Sequence, residues 1–390
     1  MQQGLVLTNQ ARFPAEQWPG PVPGLFHLKA PFVNRCPDWQ AICIIGPAAS
    51  GAIMRAAILR EYGDAASSLV CADMAVPDLK PGQVLVRIDA APINPSDLAF
   101  IHGDYGFRKK LPTVPGFEGA GVVVKANAGL YGQWLVGKRV ACSAPEDGPG
   151  TWAEYAACHV SACVPLSKAT SLEFGASLIV NPLTAIVLVD KARRAGAKAL
   201  IQTAAGSALG RMIHRTAAAK GIVVIDIVRH PEAAAKLRTE GRTDVVASES
   251  PDFADRLRAA CDRLKPTIAL DAVAGAQTAM LAHAMPRGSK IIVFGGLSGL
   301  DPGLSLRNLI FEGKTLEGFW LPVHLRTTGL LKTLQMFRTI QRAGAAMFGT
   351  PVQARLPLAQ VHDAIALQEH HATAGKVLLL PPLTEPGLPV

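Results

Sequence analysis

Ala199-Leu-Ile-Gln-Thr-Ala-Ala-Gly206-Ser-Ala-Leu-Gly210-Arg-Met-Ile-His-Arg-Thr-Ala-Ala-Ala-Lys-Gly221-Ile-Val-Val-Ile-Asp-Ile-Val-Arg229-His230 is the stretch that decides the fold. Leu200 and Ile201 begin an apolar run that gives way to small residues from Ala204 to Gly210. Apolar residues at helical spacing follow (Leu209, Ile213, Ala217), and Gly221 stops them. A second apolar run, Ile222 to Val228, closes the unit. Strand, tight turn, helix and strand within about thirty residues make a βαβ unit. Such a unit points backbone N–H groups at a helix N-terminus, where a pyrophosphate can sit. Aligned on Gly-x-Gly-x-x-Gly, the turn reads Ala205, Gly206, Ser207, Ala208, Leu209, Gly210, so only the third glycine stands in place. Small residues still allow a backbone to approach a phosphate, but an ordinary buried βα turn reads the same way.

Working outward, the chain after Ser171 alternates helix and strand. Strands are expected at Val245-Val246, Ile268 to Ala272, Ile291 to Phe294 and Leu316 to Trp320. Helices are expected from near Pro231, Pro251 and Ala276, two of them with proline at a helix start, where it is tolerated. That rhythm is a doubly wound parallel sheet. On the N-terminal side, short β-branched runs lie at Arg55 to Arg60, Val84 to Ala90, Gly121 to Lys125 and Arg139 to Ser143. Pro81-Gly82, Pro115-Gly116 and Gly137 separate them, as in an antiparallel, barrel-like domain. After a helical stretch from Leu325 to Ala345, strands return at Pro351 to Leu356 and Lys376 to Leu380, so the C-terminal piece rejoins the β domain. The expected division is an extension over 1–53, a β domain over 54–175, a doubly wound domain over 176–345 and a return over 346–390. The first segment is rich in proline and glycine and shows no period. It reads as a disordered extension or an early start codon, with Met54 opening the folded part.

Bulk properties exclude several classes. A hydrophobic content of 49% against 18% charged residues suits a packed protein rather than a disordered one. No apolar run reaches the roughly 18 residues that a membrane span needs. The net charge of +9 is spread without a Lys/Arg block, which favours anionic small molecules over nucleic acid. The seven cysteines are odd in number and form no Cys-x-x-Cys pair, which fits a reducing compartment, the cytoplasm, and argues against a structural zinc knuckle.

Several stretches then occur in a telling order: Ile93-Asn94-Pro95-Ser96-Asp97, His102-Gly103-Asp104-Tyr105-Gly106, Leu111 to Gly119, Val180-Asn181-Pro182-Leu183-Thr184-Ala185, Leu309-Ile310-Phe311 and Gly318-Phe319-Trp320-Leu321. Together they resemble the medium-chain dehydrogenase/reductase superfamily, in which a Rossmann domain interrupts a GroES-like β-barrel-type domain. Within it they look most like mitochondrial-type trans-2-enoyl-CoA reductases and quinone-oxidoreductase-like relatives. Zinc-bearing members have a Cys before the β-domain Asp and a His-Glu pair in the Gly-x-x-Gly stretch. Here those places read Asn94-Pro95 and Phe117-Glu118. Phe117 cannot ligate a metal, so no metal is expected.

The resemblance implies an NADPH-dependent reduction of an activated C=C bond in an enoyl thioester, an enone or a quinone, by a homodimer. Tyr105 would donate a proton or a hydrogen bond to the enolate; otherwise it is a tyrosine packed at the domain edge. His102 could assist or lie exposed. Asn94 would orient the nicotinamide or a substrate carbonyl, or else hold the turn before Pro95. Asn181 and Thr184 match cofactor contacts, with helix capping as the alternative. Arg229, followed by His230, ends the second strand where NAD enzymes carry an acid, and an arginine there can pair with a 2′-phosphate. Asp226 lies inside the strand. Phe294-Gly295-Gly296-Leu297 ends another strand at the crevice. Phe319-Trp320-Leu321 matches an element reaching the cofactor and acyl pocket, or a buried strand end. Lys376 matches a lysine near the cofactor, or one opening an edge strand. No Gly-x-Ser-x-Gly elbow occurs, which removes a serine hydrolase. An NADPH-binding protein without catalysis is the alternative from another class.

Overall fold

The computed structural model describes residues 51–299, 301, 303–371 and 373–382. The expected extension therefore lies outside the described residues up to residue 50. The ordered strand starts one residue before Met54: β1 (Ile53–Leu59) pairs antiparallel with β2 (Leu69–Ala75), and the pairing begins at Ile53 opposite Ala75. Met54 is thus an interior strand residue, 1% exposed.

β3 (Gln83–Pro92), β4 (Glu118–Asn127), β5 (Arg139–Ser143), β6 (Tyr155–His159) and β7 (Cys163–Pro165) build the antiparallel domain. Gly82, Gly116 and Gly137, the expected turn glycines, all take positive φ. At Gly116 the space is as strict as the dihedral: a Cβ would lie 2.4 Å from Cδ1 of the fully buried Trp152. Trp152 in turn donates its indole N–H to Pro92 O at 3.2 Å, satisfying its one polar atom inside the core.

The βαβ stretch folds as read. β8 (Ala199–Gln202), the helix Ala208–Ala218 and β9 (Val223–Val228) open a sheet continued by β10 (Val245–Ala247), β11 (Ile268–Asp271), β12 (Lys290–Val293) and β13 (Thr315–Gly318). All pairings in this sheet are parallel, and the strand order is β10-β9-β8-β11-β12-β13. The order reverses between β8 and β11, so a crevice opens at the carboxyl ends of those strands. The expected helix over Leu325 to Ala345 is instead two, Leu321–Thr327 and Leu330–Phe348, with Gly344 outside helical φ/ψ. β14 (Val352–Pro357) and β15 (Lys376–Leu380) then rejoin the first sheet. β15 lies between β14 and β3, so Lys376 opens an interior strand rather than an edge one. This is the GroES-like barrel interrupted by a Rossmann domain.

Candidate functional site

The turn after β8 is shaped for a ligand. Ser207 caps the helix Ala208–Ala218: its Oγ accepts from Gly210 N–H at 3.0 Å. The backbone N–H groups of Gly206, Ala208 and Leu209 find no acceptor among the described residues. Two glycines here serve different ends. A Cβ at Gly210 would lie 2.6 Å from Ala204 O, so helix and strand meet too closely for any side chain. At Gly206 the nearest atoms would be Thr373 Cγ2 at 3.8 Å and Val228 Cγ1 at 3.9 Å, and φ is not positive. Neither packing nor dihedral requires a glycine at 206. A bare backbone there leaves the unpaired N–H donors open, an arrangement that fits a dinucleotide pyrophosphate.

At the end of β9, Asp226 faces inward. It is fully buried, accepts from Gln202 Nε2 at 2.5 Å and pairs with Arg242 at 3.1 Å. Arg229 and His230 stand exposed just beyond the strand, and both meet Glu249. At the carboxyl end of β12, Gly295 passes so near Ala272 that a Cβ would be 2.7 Å from its carbonyl oxygen. Phe294 is half-buried, while Gly296 and Leu297 are exposed beside it. Asn181 and Thr184 do not cap their helix, Val180–Arg194, whose cap residue is Ile179. Thr184 returns its hydroxyl to Val180 O at 2.7 Å. The amide of Asn181, 8% exposed, has no hydrogen-bond partner among the described residues.

Tyr105 and Trp320 come from different domains and meet. The Trp320 indole N–H donates to the Tyr105 hydroxyl at 3.0 Å, with the rings edge-on at 5.9 Å. Phe117 and Phe107 pack on the tyrosine ring at 4.7 and 5.2 Å. Burial raises the Tyr105 pKa and the Trp320 hydrogen bond opposes the rise, so the hydroxyl keeps its proton at neutral pH. Because Tyr105 accepts from Trp320, that proton remains free to donate. Phe319 is buried, and Leu321 opens the next helix. His102 is exposed at the end of the helix Pro95–His102.

Behind these aromatics lies a buried polar network. Asn94 caps the helix Pro95–His102, and its backbone N–H donates to Asp97 Oδ2 at 2.8 Å. Its side-chain amide donates to Glu118 Oε1 at 3.0 Å, and its oxygen accepts from Lys376 Nζ. The other oxygen of Glu118 accepts the N–H groups of Ile179 and Val180 at 3.0 and 2.8 Å, the first turn of the helix that carries Asn181 and Thr184. Asp97 Oδ1 accepts from Phe117 N–H at 2.9 Å. Asn94, Asp97, Glu118 and Lys376 are all at most 4% exposed. Burial pushes the Asp97 carboxyl up to about 7, raises Glu118 and lowers Lys376; the lysine's charge opposes both carboxyl shifts.

Sequence reasoning named Asn94 and Lys376 but not the other two members of this network, Glu118 and Asp97. The Asn-x-x-Asp spacing at residues 94 to 97 was a readable capping signal. The link from Glu118 to residue 179 was not readable. Among the described residues no group of three or more His, Cys, Asp or Glu side chains could hold a metal ion. Nor is any helix among them long and apolar enough to cross a membrane.

Residues 80–168 match the alcohol dehydrogenase GroES-like domain, and residues 208–335 match the zinc-binding dehydrogenase family. The chain is 31% identical to the mitochondrial enoyl-[acyl-carrier-protein] reductase of Bos taurus, over 69% of this chain and 72% of that protein. A Mesorhizobium loti protein assigned as an NADPH:quinone reductase is 34% identical, with a TM-score of 0.79, over 86% of this chain and 100% of the other. A mycobacterial protein complexed with NADPH is 25% identical, with a TM-score of 0.72, over 84% and 100% of the two chains. The chain belongs to the medium-chain dehydrogenase/reductase superfamily of oxidoreductases, among its enoyl-reductase and quinone-reductase-like members.

Proposed function

We propose that this protein reduces the activated C=C bond of a 2-enoyl thioester with NADPH and without a metal ion. The hydrogen bond from Trp320 to Tyr105 carries the reading. Bound NADPH would supply the hydride that adds to the β-carbon. Charge then develops on the thioester oxygen as an enolate, and the free Tyr105 proton is placed to stabilise it or to pass to the α-carbon. The apolar ring cluster around Tyr105 excludes water, which strengthens that hydrogen bond. Gly206, Ser207, Ala208, Leu209 and Gly210 would hold the pyrophosphate, with Arg229 and His230 at the 2′-phosphate. Asn181, Thr184 and the Phe294–Leu297 loop line the path to the nicotinamide. Asn94 and Lys376, both inside the network, act by fixing the floor beneath it. The NADPH complex of the mycobacterial relative supports the choice of cofactor.

A second reading, the same transfer to a quinone or enone, is favoured by the Mesorhizobium loti relative. Measuring Tyr105→Phe on crotonyl-CoA and on a simple quinone at saturating NADPH tests both. The expected result is thioester turnover lowered by about 10²–10⁴-fold with the KM for NADPH unchanged. Unchanged turnover removes Tyr105 from the chemistry, and wild-type turnover confined to the quinone selects the second reading.

The homodimer belongs to the same reading. The strand β12 is core: it is paired on both sides, and Ile291 and Ile292 are at most 2% exposed. With β10 at the opposite end, β13 is one of the two edge strands of this sheet. Beside it Leu306, Ile310 and Phe311 are 64–69% exposed, and we place the dimer contact there.

A further inference from the structure

Arg229 does not stand alone at the end of β9. β10 runs parallel beside it, with Ala247 opposite Val228, so the two chain exits lie side by side. Ser248 N–H donates to Val228 O at 2.8 Å and Glu249 N–H to Arg229 O at 3.0 Å, which ties the exits together. The Glu249 carboxylate then takes Arg229 Nε on one oxygen at 2.7 Å and His230 Nδ1 on the other at 2.8 Å. A carboxylate only accepts, so His230 carries its proton on Nδ1.

All three side chains are exposed: 76% for Arg229, 54% for His230 and 47% for Glu249. Exposed ion pairs of this kind add little to stability, so fold maintenance gives no strong reason for a carboxylate here. Its position gives one. The trio sits at the carboxyl edge of the second strand, where the adenosine ribose of a dinucleotide lies in a doubly wound sheet. Arg229 is engaged through Nε, and its Nη groups have no hydrogen-bond partner among the described residues. A 2′-phosphate there meets the Arg229 guanidinium, whose charge is partly cancelled by the carboxylate paired with it. A free 2′-hydroxyl meets the same carboxylate as a hydrogen-bond acceptor.

We propose that Glu249 sets the cofactor preference by weakening the hold of Arg229 on a 2′-phosphate while offering an acceptor to a 2′-hydroxyl, so that NADH is used beside NADPH. The inference rests on the placement of the adenosine ribose at Arg229 in the functional reading above. The test is kcat/KM for NADPH and NADH in the wild type, Glu249→Gln and Arg229→Ala. Alongside it, calorimetry measures the affinities of 2′,5′-ADP and 5′-AMP for the same three proteins, which needs no turnover. The expected result is an NADPH-to-NADH ratio raised about tenfold in Glu249→Gln, matched by a similar rise in the 2′,5′-ADP-to-AMP affinity ratio. In Arg229→Ala both ratios fall. Ratios that stay level or fall in Glu249→Gln overturn the role of Glu249. If Arg229→Ala still lowers both ratios, only that role is lost; if it too is silent, the placement of the ribose at Arg229 falls with it.

Discussion

Asp97 shows how much a single buried carboxyl can say about this protein. Folded, it holds its proton up to about pH 7; unfolded, it releases it near 3.8. Between those values the folded state binds more protons, so rising pH favours unfolding. The stabilising contribution is intact below about pH 4 and is lost as pH climbs through about 7. Glu118, also raised by burial, acts in the same direction. Chemical denaturation at about pH 5 and about pH 8 should show the wild type losing roughly 2–3 kcal/mol more over that interval than Asp97→Asn. An equal loss in both proteins would remove Asp97 as the source. At this scale the sequence showed what came as a motif, because Tyr105, Trp320, Asn94 and Lys376 each sat in a recognisable stretch. What it hid were partners set by tertiary approach: Glu118 reaches residue 179 across 61 positions, and Glu249 reaches Arg229 across 20.

At the scale of elements, the turn after β8 separates a glycine held by packing from one that neither packing nor dihedral requires. Gly210→Ala drives a Cβ into the Ala204 carbonyl and should cost about 1–3 kcal/mol of stability. Gly206→Ala should change stability by less than about 0.5 kcal/mol while raising the KM for NADPH. Thermal melts with and without cofactor check both, and a Gly206 variant that binds NADPH normally would detach this turn from the pyrophosphate. The strands were legible because β-branched runs between turn glycines have a period of two. The helix Pro95–His102 was not read as one, because Asn94-Pro95 signals a turn as readily as a cap followed by proline at the first helical position. β2 and the helix Val361–His370 also went unread. Leu-Val-Cys-Ala-Asp-Met-Ala lacks a clean alternation, and its pairing with β1 supplies what its composition does not.

At the scale of the whole molecule, the return of β14 and β15 to the first sheet was visible as a reappearance of strand pattern after a long helix. That β13 ends the row of the second sheet was not, since no residue type marks a strand as the last in its row. β13 presents Leu316, 39% exposed, at that edge. Two copies joined edge to edge about a two-fold axis would extend the sheet across both subunits. Leu316→Arg should therefore shift the mass measured by light scattering from dimer to monomer. A monomeric wild type, or a dimer that ignores the substitution, would rule this edge out.

Glu118 belongs to β4 of the first domain, yet its carboxylate clasps the start of a helix in the second while its other oxygen holds Asn94. It works as a pivot pin driven through both bodies. Sliding one domain past the other would strip two backbone donors from a buried charge, whereas a rotation about that point leaves them in place. Any relative motion of the two domains that keeps these bonds is therefore a swing about Glu118.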